Sequence, residues 1–357
     1  MYPNDTKPIR VLIVDDSPVF CSLLRRLLSG DPDIEIIGMA SDPMEAKDLI
    51  IAHKPDVITL DVEMPLMDGI TFLKRLMSQR PTPVVMISSY THENSLRTLE
   101  ALDAGAVDFV AKPSPDAQVD LEDLGREVGM KLKAAAQVRM RPLIVPRTQM
   151  AEPATPKSTP GTASSAPKRI IAIGGSTGAP KAIQDILTAL PAGNYGIVIA
   201  QHMPPRFTHT FAKRLDAMLP LDASEAKTGD RVRTGRVLVA PGGCHMEVQR
   251  DAKGYSVRIH DGPPVKHQRP SVDVLFRSVA AAAGPNAIGV LLTGMGDDGG
   301  EGLLALRQAG AVTIAQDEAS SVVFGMPKAA IDLNAAQVVV PLSEIPSVIL
   351  ANLVTES

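Results

Sequence analysis

The sequence predicts an α/β protein of two domains, each a parallel sheet with helices on both faces. Three observations carry this. Short β-rich apolar runs alternate with amphipathic stretches of helical period. The alternation breaks once, at a segment rich in Pro, Ala, Ser and Thr, and then resumes with more continuous apolar runs. A length of 357 residues suffices for two domains of ordinary size.

In the first part, strands are expected at IRVLIV (9–14), IEIIGMA (34–40), DVITL (56–60), PVVMIS (83–88) and DFVAK (108–112). Amphipathic stretches at 18–28, 43–53, 70–79 and 92–104 lie between them, and 118–138 follows the last. Strict βα alternation implies a parallel sheet covered on both faces. Residues 141–168 (RPLIVPRTQMAEPATPKSTPGTASSAPK) lack a sustained apolar period and cannot bury enough surface to offset their ordering entropy. A flexible linker is therefore expected over 139–168, between a first domain at 8–130 and a second at 169–357. In the second domain RIIAIGG (169–175) leads into a helix at 179–189, and GIVIA (196–200) and AIGVLLT (287–293) read as buried strands. MEVQR and YSVRIH around Lys253-Gly254 read as a β-hairpin.

Hydrophobic residues make up 45% and charged residues 21%, and the net charge is −4, which gives no sign of a nucleic-acid or membrane-surface partner. No stretch reaches the roughly 20 apolar residues of a membrane span, and the N-terminus has no apolar core of a secretory signal. A cytoplasmic protein without membrane insertion is expected. Cys21 and Cys244 suggest neither a disulfide scaffold nor a metal site.

The first-domain strands end in Asp15-Asp16, Asp61, Ser88-Ser89 and Lys112-Pro113, so these residues meet at the carboxyl edge of the sheet, where ligands bind. Three carboxylates there call for a hard divalent cation, and Mg²⁺ suits Asp15, Asp16 and Asp61. Asp61 is the carboxylate to be phosphorylated, Lys112 a second positive charge, and a hydroxyl can bond the phosphoryl group. These residues resemble the receiver domain of bacterial response regulators. The resemblance implies a flavodoxin-like sheet of order 2-1-3-4-5, Ser88 as switch hydroxyl, Lys112 as switch lysine, and Phe109 in the switch aromatic position.

In the second domain Gly174-Gly175-Ser176-Thr177-Gly178 fits G-x-S-x-G between a strand and a helix, the context of a nucleophile elbow. The Thr177 backbone N–H is the natural oxyanion donor. A Gly-rich turn could equally cradle phosphate. His202 and Asp298 each follow a separate strand, so one crevice can collect Ser176, His202 and Asp298. His209, His245, His260 and His267 remain rival bases, and Asp297 and Asp273 rival acids.

The blocks GGSTGAP, QHMPPRFTHTFAKRLD, APGGCHMEV, HQRPSVDVLFRS, LLTGMGDDGGEGL and QDEASSVVFGMPKAAI are similar to the bacterial chemotaxis protein-glutamate methylesterase family, CheB. That resemblance implies Ser176 as nucleophile, His202 as base, Asp298 as its acid partner and the Met295 N–H as second oxyanion donor. His267, Arg269 and Asp273 fall in a site-shaping block. It implies hydrolysis of glutamyl methyl esters, and deamidation of specific glutamines, on chemoreceptor cytoplasmic domains, with no cofactor for the esterase reaction. The chemotaxis histidine kinase would be the phosphodonor. It further implies that the unphosphorylated receiver covers the esterase cleft. Two rivals stand beside this reading. A DNA-binding regulator would need a basic recognition helix, which the second domain lacks; a phosphate-binding domain would rest on the glycine turns alone.

Overall fold

The computed structural model describes residues 7–65, 67–89, 91–113, 121–138, 140 and 167–353. The chain divides into two compact units, Met1–Arg147 and Thr148–Ser357. The linker expected over 139–168 lies outside the described residues apart from Met140, Pro167 and Lys168.

The first unit runs β1 (Ile9–Val14), α1 (Pro18–Leu28), β2 (Ile34–Ala40), α2 (Pro43–His53), β3 (Val57–Asp61), α3 (Gly69–Gln79), β4 (Val84–Ser88), α4 (His92–Asp103), β5 (Asp108–Ala111) and α5 (Leu121–Ala136). All neighbouring strands pair in parallel, in the expected order β2-β1-β3-β4-β5. The helix starts are written locally. Ser17, Asp42, Asp68 and Thr91 each accept amide hydrogen bonds from the first turn they precede, and Pro18 and Pro43 supply helical φ without needing a donor. The apolar residues of β1, β3 and β4 are buried throughout their inner stretch, as a sheet covered on both faces requires.

The second unit comprises β6 (Arg169–Gly175), α6 (Ala179–Ala189), β7 (Tyr195–Gln201), α7 (Phe207–Met218), β8 (Asp222–Glu225), β9 (Arg231–Val232), β10 (Arg236–Val239), β11 (His245–Asp251), β12 (Gly254–His260) and α8 (Val272–Ala283). It continues with β13 (Ala287–Leu291), α9 (Gly300–Gln308), β14 (Val312–Gln316), α10 (Met326–Asp332), β15 (Val338–Val340) and α11 (Ile345–Leu353). The main sheet is parallel, in order β15-β14-β13-β6-β7-β10-β8. The chain starts at β6 in the middle, winds outward through β7, then returns to β13 and winds the other way. This is double winding, and the switch point lies where β13, β6 and β7 stand side by side. The β11–β12 hairpin is present and pairs with β9 in a second, three-stranded sheet.

One strand stops short of its expected end. The run AIGVLLT leaves the sheet after Leu291, because the side-chain Oε1 of Gln316 takes the Thr293 amide (2.8 Å) in place of a backbone partner. The loop 292–299 that follows begins over the switch point.

Helix α8 packs tightly on β6. A β-carbon on Gly174 would lie 2.1 Å from Cγ1 of Val272, a fully buried, χ1-restricted side chain. Gly174→Ala is therefore expected to destabilise the second unit by about 1–3 kcal/mol, read as a lower denaturation midpoint for that unit. Adding Val272→Ala should return part of the loss.

Candidate active site and phosphorylation site

Ser176 follows β6 directly, at the turn into α6. Gly178 caps that helix with φ +78°, a left-handed conformation that glycine adopts without a steric cost. The Ser176 amide donates to the Thr293 carbonyl (3.1 Å), and the Ser176 carbonyl accepts from the Ala179 amide (3.0 Å) and from Nε2 of Gln201 (2.9 Å). The C=O and N–H of one planar peptide point in opposite directions. By holding the Ser176 carbonyl, Gln201 thus also sets the direction of the Thr177 N–H.

His202 follows β7, and its amide donates to the Gly175 carbonyl (3.1 Å), so the two strand ends are bonded beside the serine turn. Its Nε2 lies 2.8 Å from Oδ2 of Asp298. A carboxylate only accepts, so Nε2 carries the proton and Nδ1 is the acceptor nitrogen of the neutral ring. Among the described residues Nδ1 has no hydrogen-bond partner.

Asp298 sits in the loop after β13 and is 2% exposed. Besides His202 it accepts from Ser271 Oγ (2.8 Å), the Val272 amide (2.7 Å) and the Asp273 amide (3.1 Å). The last two amides open α8, so the carboxylate lies on a helix N-terminus. Burial pushes its pKa up, but His202 and these donors prevail and hold it below the usual carboxylate range.

The loop 292–299 also approaches the serine. A β-carbon on Gly294 would be 2.8 Å from Cβ of Ser176, which leaves room only for glycine and brings half-buried Met295 to the next position. The Gly294 carbonyl accepts from the amides of Gly325 and Met326 (3.1 and 2.9 Å), which anchors the turn.

The rival residues are otherwise engaged. His245 is buried, accepts the Ser271 amide at Nδ1 (3.2 Å) and therefore donates from Nε2 to the Pro263 carbonyl (3.0 Å). His260 Nδ1 accepts the Gly262 amide, and His209 lies 3.6 Å from Glu225 on the surface. His267 and Asp297 are exposed. Arg269 donates to the carbonyls of Asp261 and Gly262. Asp273 is buried and accepts the Gly302 amide (2.7 Å).

In the first unit Lys112 Nζ lies 2.6 Å from Asp61 and 2.8 Å from Asp15. Both carboxylates are buried, whereas Asp16 is exposed. Burial, reinforced by Asp15, pushes Asp61 up to about 6 against the pull of Lys112; burial also raises Asp15. Ser88 is buried with its Oγ 2.7 Å from Oγ1 of Thr98 on α4. Phe109 is buried on β5, with Lys131 Nζ over its ring at 5.2 Å.

Residues 171–349 match the CheB methylesterase family and residues 11–121 the response regulator receiver domain. A protein-glutamate methylesterase/protein-glutamine glutaminase of Pseudomonas aeruginosa is 50% identical over 343 residues, 96% of each chain. The protein of the same name from Salmonella typhimurium is 48% identical over 345 residues, 97% of each chain. The chain belongs to the CheB methylesterase family. The crystal structure of the Thermotoga maritima CheB methylesterase catalytic domain superposes with a TM-score of 0.50 at 36% identity, covering 51% of this chain and 97% of that one.

Sequence reasoning missed the CheB residues that aim the site: Gln201, Ser271 and Thr293. Ser271 carries a recognisable signal, a serine just before the apolar run VDVLF, and it does cap α8 at the Val274 amide. Its reach to Asp298, 27 residues away, has no local signature.

The receiver carboxylates fit a hard cation. One oxygen from each of Asp15, Asp16 and Asp61 falls within a 4.8 Å span, and the two buried carboxylates share the single ammonium of Lys112. Without cation, a raised Asp61 pKa has a definite sign in stability. Between about pH 4 and about 6 the native state holds a proton that the unfolded chain has released, so stability falls as pH rises through that window and the cost remains above it. Asp61→Asn removes this cost. In EDTA it should stabilise the first unit by on the order of 1–3 kcal/mol above pH 7, by about half as much near pH 5 and by little below pH 4, measured as the midpoint of that unit's thermal transition.

Proposed function

We propose that the chain is a phosphorylation-activated hydrolase that demethylates glutamyl methyl esters, and deamidates specific glutamines, on chemoreceptor cytoplasmic domains. The observation that carries the chemistry is the His202–Asp298 pair, with a proton-accepting Nδ1 left over beside the Ser176 turn. The names of the relatives at about half identity over nearly the whole chain support the substrate.

In this reading Ser176 Oγ attacks the ester or amide carbonyl carbon while His202 Nδ1 takes its proton. Asp298 holds the Nε2–H and stabilises the imidazolium. The N–H groups of Thr177 and Met295 receive the negative charge on the carbonyl oxygen. Collapse breaks the bond to methoxide or amide, which leaves as methanol or ammonia with the proton from His202. A water molecule then gives its proton to His202 and its oxygen to the acyl carbon, releasing the glutamate side chain and restoring Ser176. One serine serves both substrates, since they differ only in leaving group. No cofactor is assigned to these steps.

Asp61 is the phosphoacceptor, served by the histidine kinase of the chemosensory system. Asp15, Asp16 and Asp61 would hold Mg²⁺, which neutralises phosphoryl charge when bound. Lys112 supplies the second positive charge, and the Ser88 hydroxyl exchanges Thr98 for the phosphoryl group. Phe109, which carries no hydroxyl, reports the change by packing alone.

Ser176→Ala is expected to lower methanol release from methylated receptor by about 10³-fold or more while leaving Asp61 phosphorylation intact; retained release removes Ser176 from the role. Asp61→Ala should keep the basal rate and lose the rise produced by a small-molecule phosphodonor. An undiminished rise in that variant would refute the acceptor assignment.

A further inference from the structure

Beneath the His202–Asp298 pair lies a second buried carboxylate that the reaction does not touch. Asp273, fully buried in the first turn of α8, accepts the amide of Gly302 in the first turn of α9 (2.7 Å). Asp298, just before α9, accepts the amides of Val272 and Asp273 in the first turn of α8. Each helix thus has its N-terminus capped by the carboxylate belonging to the other. The arrangement places two buried negative charges in one spot, and Asp298 is among the charges that push Asp273 up after burial itself.

One cation answers them. Lys266 Nζ lies 3.1 Å from Oδ2 of Asp273 and donates to the Asp297 carbonyl (3.0 Å), which locks the residue before Asp298. Lys266 is delivered by a tight turn in which Val265 and Gln268 exchange both backbone hydrogen bonds (3.1 and 2.8 Å). Lys266 and His267 at its tip both have left-handed backbone, φ 49° and 64°, a conformation rare for residues with a β-carbon. Both angles are those of a two-residue turn closed by the Val265–Gln268 pair, so the turn itself sets the direction in which Lys266 leaves the backbone.

The other charges around the cluster are accounted for. On β11, His245 is engaged as a neutral ring by Ser271 and Pro263, and Glu247 is bonded to Arg258. On α8, Arg277 pairs with Glu301 of α9, which also lies 3.9 Å from Lys266 but is solvent-exposed. Asp297, 3.2 Å from Lys266, is solvent-exposed, so water screens it. The charges in direct contact are the buried carboxylates of Asp298 and Asp273, the buried ring of His202 and half-buried Lys266, taken as one set. With the imidazole neutral it carries one net negative charge; with the imidazolium it carries none.

We infer that the Asp273–Lys266 ion pair is a positioning and charge-setting element for the His202–Asp298 pair: Asp273 favours the imidazolium of His202, and Lys266 limits that preference. A cluster that is buried except for half-buried Lys266, and that reaches neutrality only when His202 holds the serine's proton, stabilises the charged intermediate over the resting state. The inference deepens the reading of His202 as the base and rests on it for its catalytic meaning.

The test uses the full chain with ¹³C-labelled histidine, following the His202 Cε1 resonance against pH, assigned with His202→Gln. Asp273→Asn keeps an oxygen for the Gly302 amide and removes the charge, so the His202 pKa should fall by about one unit. Lys266→Met keeps the stem and removes the opposing charge, so the pKa should rise by a similar amount. The double variant should return towards wild type. A purely structural role would loosen the His202–Asp298 contact and lower the pKa in both single variants; that result, or no movement in either, overturns the inference. The acid limb of kcat/KM for methanol release is measured alongside. If the resonance moves in opposite directions as expected but the acid limb stays put, the ion-pair inference stands and the assignment of His202 as base fails.

Discussion

A buried carboxylate must find donors or take up a proton. Asp298 meets that demand by collecting an imidazole, a serine hydroxyl and two amides at the start of α8. Those contacts fix His202, hold the loop after β13 against α8 and keep the acid ionised beside the imidazole. The requirement reaches into the sheet. Only adjacent β13, β6 and β7 bring the aspartate, serine and histidine loops to one place, and only glycine at 174 and 294 lets α8 and the loop come close enough.

The two units use buried aspartates in opposite ways. Asp298 is surrounded by donors and sits below the ordinary carboxylate range, as a permanent partner of a cation should. Asp61 has one lysine and a second aspartate beside it, and burial drives it to about 6. An acid so placed gains from anything that brings positive charge or removes its own. A bound divalent cation would supply such a charge. The carboxyl edge of a parallel sheet thus holds a donor-saturated aspartate in one unit and a donor-poor one in the other.

Most of the first unit was legible because its signals are local. Strand period, Pro at the helix starts and Ser17, Asp42, Asp68 and Thr91 as caps mark boundaries within a few residues. The five-strand order followed from family resemblance to response regulators, and the sheet has it. In the second unit the strands β6 and β7 and the β11–β12 hairpin were visible for the same reason. Short strands such as β8, β9 and β15, of two to four residues, carry too little pattern to be seen. The end of β13 was overestimated because Gln316, 23 residues on, takes the ladder's place at Thr293. His202 and Asp298 could be placed at strand ends, but ranking them over His245 or Asp273 came from family resemblance and not from spacing; the hydrogen bonds that engage those rivals elsewhere agree with it. The reach of Gln201 to Ser176 and of Ser271 to Asp298 crosses the fold and leaves no trace in spacing.

The central claim is that Ser176 is made nucleophilic by Nδ1 of His202. Treating the full chain with a fluorophosphonate and locating the adduct by peptide mass spectrometry tests it most directly, because the reagent reports serine activation without any receptor substrate. One adduct is expected, on Ser176, forming at least about 10²-fold more slowly in His202→Gln. An adduct on another residue, or one on Ser176 that forms at the same rate without His202, would contradict it.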